Sequence, residues 1–237
     1  MSPELPEALR PPKEIKSVWT CQGFYIQQDN IRMNAMCAKI TKMFMDRGLH
    51  PIILKGQANA SLYPDPFSRQ CGDIDVLVEG GRKNVIRHLT EMGLMEGADA
   101  NSLHHVHLDS KLFDGISIEV HFKPVECAPF GAGRRLLKYL EETADFTKCR
   151  YNPLGFYDPP LEFALAMQLA HIRTHFIGGG VGLRQFVDYY QVLKSCSTEM
   201  IQLFCHKTKK FGLEPMIKSM MWVQKTALFV GRRIFDL

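Results

Sequence analysis

The sequence predicts an α+β fold in which the strands precede most of the helices. Short branched apolar runs gather between residues 50 and 122, among them IDVLV at 74–78 and the strictly alternating ISIEVHF at 116–122. From residue 134 onward, apolar residues recur at helical spacing between punctuating glycines and prolines. The change of character divides the chain into residues 1–133, an α+β half with an N-terminal arm and helix, and residues 134–237, a helical half.

Each element has a local reason. Residues 1–14 are proline-rich and polar and read as an arm. A helix is expected from Asp29, as N-cap, to Arg47, on the spacing of Ile31, Met33, Met36, Ile40, Met43 and Phe44. Gly48 closes it. HPIIL at 50–54 reads as a strand ending in a turn at Lys55 and Gly56. Residues 59–63 form one or two helical turns before Pro64 and Pro66 impose a loop. The strand at 74–78 stops at Gly80 and Gly81. A helix over 82–92 turns Val85, Ile86 and Leu89 inward and ends at Gly93. Residues 104–122 read as a β-hairpin that turns near Asp114 and Gly115. Its second arm sends Ile116, Ile118, Val120 and Phe122 to one face and Ser117, Glu119 and His121 to the other. Helices are expected over 134–144, 160–177, 182–196 and 199–230, the last interrupted near Gly212 and Pro215.

Composition sets outer limits. Hydrophobic residues make up 46% of the 237, enough for a sizeable core. The net charge of +4 permits a phosphate-rich ligand without requiring one. Seven cysteines without a CxxC argue against a disulfide framework or a paired-cysteine zinc site, and predict a reducing, cytoplasmic location. The acids and prolines of the first 19 residues do not resemble a secretory leader. No apolar run approaches the roughly 18 residues of a membrane span, so no membrane partner is expected.

The chemistry points to RQCGDIDVLVE at 69–79. In a strand, Asp73 and Asp75 share a face. Carboxylates that close repel unless a cation lies between them, and Mg²⁺, which takes hard oxygen ligands, resolves the conflict. Glu119, on the polar face of ISIEVHF, completes a three-carboxylate set if its strand pairs near the first. The plainer reading makes Asp73 and Asp75 turn or cap residues. Arg69 reads either as a clamp on a phosphate oxygen or as a solvated loop arginine. His121, on the face of Glu119, is placed to hydrogen-bond that acid or the substrate. His105 and His107 share a strand face beside His104, either as a metal site or as a polar surface. His171 and His175, four apart on one helix, either face a cleft or cap the core; HIRTH lacks the glutamate of a zinc-protease motif. Arg184 and Asp188 have the spacing of a helix ion pair. GGGVG at 178–182 lacks the spacing of a P-loop. Met216, Met220, Met221, Val223, Leu228 and Phe229 form a packing stripe, part of which is open as a protein-partner surface in the C-terminal helices.

Taken together, Leu54-Lys55-Gly56, Leu62-Tyr63-Pro64, Arg69, Gly72-Asp73-Ile74-Asp75, Ile118-Glu119-Val120-His121 and Leu183-Arg184-Gln185 with Asp188 resemble the polymerase-β-type nucleotidyltransferase superfamily. Within it they resemble an uncharacterised bacterial nucleotidyltransferase-like family. The resemblance implies a small mixed sheet flanked by helices, then a helical domain. It implies that Asp73 and Asp75 bind metal and that Glu119 is the third acid, helping to activate the acceptor. Lys55 and Gly56 stand where many relatives have a Gly-Ser turn that holds the triphosphate; here Gln57 follows the glycine. Arg184 and Asp188 belong to the same pattern and, with His121 and His175, are candidates for substrate binding. The implied reaction is Mg²⁺- or Mn²⁺-dependent transfer of a nucleoside monophosphate from a nucleoside triphosphate to an acceptor hydroxyl on a small molecule, protein or RNA. Two alternatives stand beside it. One is a catalytically weak or inactive nucleotide- or partner-binding module, such as a toxin–antitoxin component. The other is a histidine-based metal hydrolase.

Overall fold

The computed structural model describes residues 10–227. The fold is α+β, as expected. Helix α1 (Lys13–Met45) leads into strand β1 (Pro51–Ile53), the short helix α2 (Gln57–Ala60), β2 (Ile74–Val78), α3 (Gly81–Glu91), β3 (His105–His107) and β4 (Ile118–His121). Helix α4 (Gly131–Thr143) follows, then a two-stranded ribbon of β5 (Arg150–Tyr151) and β6 (Tyr157–Asp158). Helices α5 (Leu161–Gly178), α6 (Leu183–Ser195), α7 (Thr198–Phe211) and α8 (Glu214–Ala227) complete the described chain. Among the described residues no helix is long and apolar enough to cross a membrane, and all seven cysteines are free.

The main sheet is mixed, in the order β1-β2-β4-β3. Strands β2 and β4 run parallel at its centre; β1 and β3 are antiparallel edges. The period of two sorts the side chains cleanly. One face carries Ile53, Ile74, Val76, Val78, Val106, Ile118 and Val120, all in one buried cluster with Met33, Met36, Cys37, Ile40 and Phe44 of α1 and Val85 and Leu89 of α3. The opposite face is divided. Ile52, Leu54 and Leu77 join a second core built from the C-terminal helices. Asp75, Glu119 and His121 lie on that same face, where Asp75 is opposite Glu119 and Leu77 is opposite His121.

Helix α5 has nine residues from Phe163 to Ile172 buried, on every side of the helix. Such a helix belongs in the middle of a core. Its C-terminal turns emerge over the polar end of the sheet.

The structure departs from the expected elements in three places. Asp29 is no N-cap: α1 begins sixteen residues earlier, at Lys13. Its burial begins only at Asn30, and the preceding turns stand in solvent with Val18, Trp19, Phe24 and Tyr25 exposed. Hence Lys13 and Glu14 are helical, and residues 1–9 of the expected arm lie outside the described chain. The β5–β6 ribbon was not expected. It is tied down by Asp158, which accepts hydrogen bonds from Arg150 and Ser61. The hairpin turn also differs: a 3-10 turn at Ser110–Phe113 precedes Asp114 and Gly115, both at positive φ. In the methionine stripe, Met220 is buried and Met216 and Met221 pack against the second core; Leu228 and Phe229 lie outside the described residues.

Gly56 links fold and site. Its backbone has φ 61 and ψ −106, a conformation open to glycine and costly for any side chain. An added Cβ would lie 3.4 Å from the carbonyl oxygen of Asp73. Gly56→Ala is expected to destabilise the protein by about 1–3 kcal/mol, read as a lowered urea midpoint; an unchanged midpoint would contradict the strained turn.

Candidate active site

The polar end of the sheet concentrates charge. Asp75, the second residue of β2, is 1% exposed. A carboxylate at that depth is costly unless cations meet it. Two do. Lys55, two residues past the end of β1, places Nζ 3.0 Å from Asp75 Oδ2 and 3.6 Å from Asp73 Oδ2. His121 of β4 places Nε2 3.1 Å from Asp75 Oδ1 and 3.3 Å from Glu119 Oε2. Glu119 also lies 3.3 Å from His107 Nε2. Asp73, at the mouth, is partly exposed. Asp75 and Glu119 therefore come together, Asp73 joins them at the mouth through Lys55, and Lys55 and His121 already answer the repulsion of the acids.

The titration behaviour follows. Burial disfavours the Asp75 charge, but the hydrogen bond from His121 and the Lys55 ammonium win and hold its pKa well below the usual carboxylate range. Burial likewise opposes a charge on His121, yet Asp75 and Glu119 raise its pKa to about 9. Lys55 is driven above the ordinary lysine value, with Asp75 and Asp73 outweighing desolvation. His104 moves the other way, to about 4, through burial and the neighbouring His105 and His121. His171 falls to about 3 through burial and the nearby Lys55 charge. At neutral pH the centre thus holds Asp75 and Glu119 as carboxylates, Lys55 as an ammonium, His121 as an imidazolium, and His104 and His171 as neutral rings.

The donor set suits a divalent cation. Asp75, Glu119 and His121 each present a ligand atom within 4.8 Å of the others. Asp75 Oδ2 is buried and is met only by the Lys55 ammonium, 3.0 Å away. A carboxylate oxygen held by one ion pair beside other acids can pass to a hard ion that displaces the ammonium.

A cleft opens over these groups between the sheet and α5–α6. One lobe, of about 190 Å³, is lined by Lys55, Gly56, Asp73, His175 and Arg184. The other, of about 250 Å³, is lined by Asp75, Glu119, His121, His104, His105 and Glu126. Lys55, Asp73, His171 and His175 border both. His171 and His175 thus face the cleft, with their Nε2 atoms 2.9 Å apart.

Three expectations change in detail. Arg184 and Asp188 do not form the helix ion pair that their spacing suggests. Asp188 takes a bidentate pair from Arg69, with Nε and Nη2 each 2.8 Å away, and a hydrogen bond from Tyr63 at 2.7 Å. Arg184 instead donates to the carbonyls of Gln70 and Cys71. Arg69 is no solvated loop arginine: it is buried, and its guanidinium is engaged by Asp188 and the Gln70 carbonyl. Gln57, which stands where the resemblance implies a serine, turns away from the cleft and donates to Asn30 and Asn34 of α1. Sequence reading missed the direct approach of Lys55 to the acids. Its signal was present: Leu54-Lys55 follows a strand antiparallel to β2, so Lys55 falls beside Asp73 and Asp75.

Residues 4–228 match the family model described as an uncharacterised nucleotidyltransferase. The chain belongs to that family. No curated protein matches it. Membership in a nucleotidyltransferase family agrees with the mixed sheet and the trailing helices, and supports a general nucleotidyltransferase activity on a nucleotide substrate.

Two tests address this geometry. Asp188→Ala leaves Arg69 buried without its partner, and is expected to cost about 3–5 kcal/mol of stability in denaturant unfolding. His121 has a folded pKa raised from 6.5 to about 9. Its contribution is therefore fully present below pH 6.5 and lost as pH rises through 9. Metal-free protein should lose stability over that window by at most about 3 kcal/mol, and His121→Asn should flatten the decline. An equal slope in the variant would refute the assignment.

Proposed function

We propose that the chain transfers a nucleoside monophosphate from a nucleoside triphosphate to an acceptor hydroxyl, with Mg²⁺ or Mn²⁺ held by Asp73, Asp75 and Glu119. The observation that carries this reading is the parallel register of β2 on β4, which sets Asp75 directly opposite Glu119. When bound, the ion supplies charge neutralisation for the phosphates and lowers the pKa of a coordinated hydroxyl.

The chain's own residues account for the rest. Lys55, which borders both lobes, is placed to exchange part of its contact with the acids for a phosphate oxygen. Arg184, anchored on the carbonyls of Gln70 and Cys71, lines the lobe of about 190 Å³ and carries further N–H donors for a phosphate. Arg69 acts at one remove: its pair with Asp188 fixes residues 69–72 and so aims Asp73. Glu119, oriented by His121 and His107, is the group assigned to accept the proton of the attacking hydroxyl. His175, between the lobes, is placed to hydrogen-bond substrate. A bond forms between the acceptor oxygen and the α-phosphorus, the bond to the β-phosphate bridge breaks, and pyrophosphate leaves. In a division at residue 133, the N-terminal part supplies the acids, and α5 and α6 of the C-terminal part supply the opposite wall of the cleft. The acceptor is a hydroxyl of a small molecule, a protein or an RNA end, and a cytoplasmic setting fits the unpaired cysteines.

One observation favours a second reading. With Gln57 bound into α1, no serine hydroxyl serves the phosphate turn, as suits a module that binds nucleotide without turnover. A radiolabelled triphosphate screen against cell extract, with Mg²⁺ or Mn²⁺, separates the two. The enzyme reading expects label transfer and pyrophosphate release, reduced more than about 100-fold in Asp73→Asn with Asp75→Asn. Unchanged, tight nucleotide binding and turnover in the double variant would sink it. Binding without any release would establish the second reading.

A further inference from the structure

The cleft holds more imidazole than phosphoryl transfer uses. His104 and His105 precede and begin β3, and β3 lies antiparallel to β4 with His105 opposite His121. Register thus gathers rings from an edge strand and a central strand. The His105 and His121 centroids are 5.1 Å apart, and those of His104 and His121 are 5.5 Å apart. His104 Nε2 and His105 Nδ1 are already 2.9 Å apart. One nitrogen from each of the three rings lies within 4.8 Å of the other two. A tetrahedral ion with bonds of 2.0–2.1 Å needs nitrogens about 3.3 Å apart. His104 and His105 are both partly exposed, which leaves their rings room to turn toward that spacing.

His121 provides an independent observation. It is 5% exposed. Its Nε2 faces Asp75 and Glu119, while its Nδ1 is buried and has no hydrogen-bond partner. A buried ring nitrogen left unpaired, with a carboxylate on the other nitrogen, has the arrangement of a metal-bound histidine oriented by an acid.

We propose that His104, His105 and His121 form a site for a borderline divalent cation of the Zn²⁺ class, distinct from the carboxylate site beside it. Imidazole nitrogens select such ions over Mg²⁺, which prefers oxygen. His121 would bind through Nδ1 and keep Nε2 on Asp75, so the ion fixes the ring that orients the buried acid. Binding displaces the Nδ1 proton. Three protein ligands leave a fourth position for water or substrate, and the cluster lines the larger lobe of the cleft. This inference stands whether or not the chain transfers nucleotides.

The test uses the full chain, stripped with chelator, without nucleotide. Titration with Zn²⁺ against a chromophoric chelator should show one tight equivalent, and Co²⁺ should give the visible bands of a tetrahedral nitrogen-rich site. A hundredfold excess of Mg²⁺ should leave Zn²⁺ binding unchanged. His104→Ala with His105→Ala should weaken it at least about tenfold, whereas His107→Ala and Asp73→Asn should not. Circular dichroism checks that the variants fold, and His104→Gln with His105→Gln replaces any that does not. Loss of Zn²⁺ to excess Mg²⁺, undiminished affinity in the folded double variant, or dependence on His107 instead of His104 would overturn the assignment.

Discussion

A single buried carboxylate governs the polar half of this structure. Asp75 sits in a central strand with almost no solvent access, where an ionised group survives only if its neighbours repay the lost hydration. Lys55 and His121 meet its two oxygens from adjacent strands. Each partner in turn depends on Asp75 for its own charge. The sheet register, the glycine turn beside Lys55 and the placement of Glu119 all serve this one arrangement. Around it the sheet face changes from apolar, at Ile52 and Leu77, to charged, at Asp75 and Glu119, within a few residues. The same face therefore seals the second core and floors the cleft.

The site was legible in the sequence to the extent that it obeyed short periods. Asp73 and Asp75 stand two apart in a run that can only be a strand, and Glu119 and His121 repeat the pattern. What linked the two strands was not local, and only the parallel pairing brought it out. Asp188 shows the limit from the other side. Helical spacing offered Arg184 as its partner, because residues four apart share a face. Its actual partner, Arg69, is 119 residues away in sequence, and that pairing wins because a buried bidentate contact outweighs a solvent-screened one.

The helices repeat this lesson. The apolar period that marks α1 begins near Asn30, where burial begins, so sequence reading placed the start there. Helix formation does not require burial, and nothing between Lys13 and Asp29 breaks the helix. The exposed turns are thus invisible to amphipathic reasoning. Strands β5 and β6, of two residues each, are too short to show any alternation; Asp158 and its hydrogen-bond partners hold them in place of a pattern.

The parallel pairing at the centre of the sheet also bears on how the molecule is made. Asp75 and His121 are 46 residues apart, and parallel neighbours cannot meet through a tight turn. During synthesis β1 and β2 emerge well before β4, so Lys55 can reach Asp75 while the imidazolium is still missing. Contacts of such separation form late. Closing the sheet and completing the charge balance are then one event: until β4 pairs, Asp75 has only Lys55 and water to meet its charge.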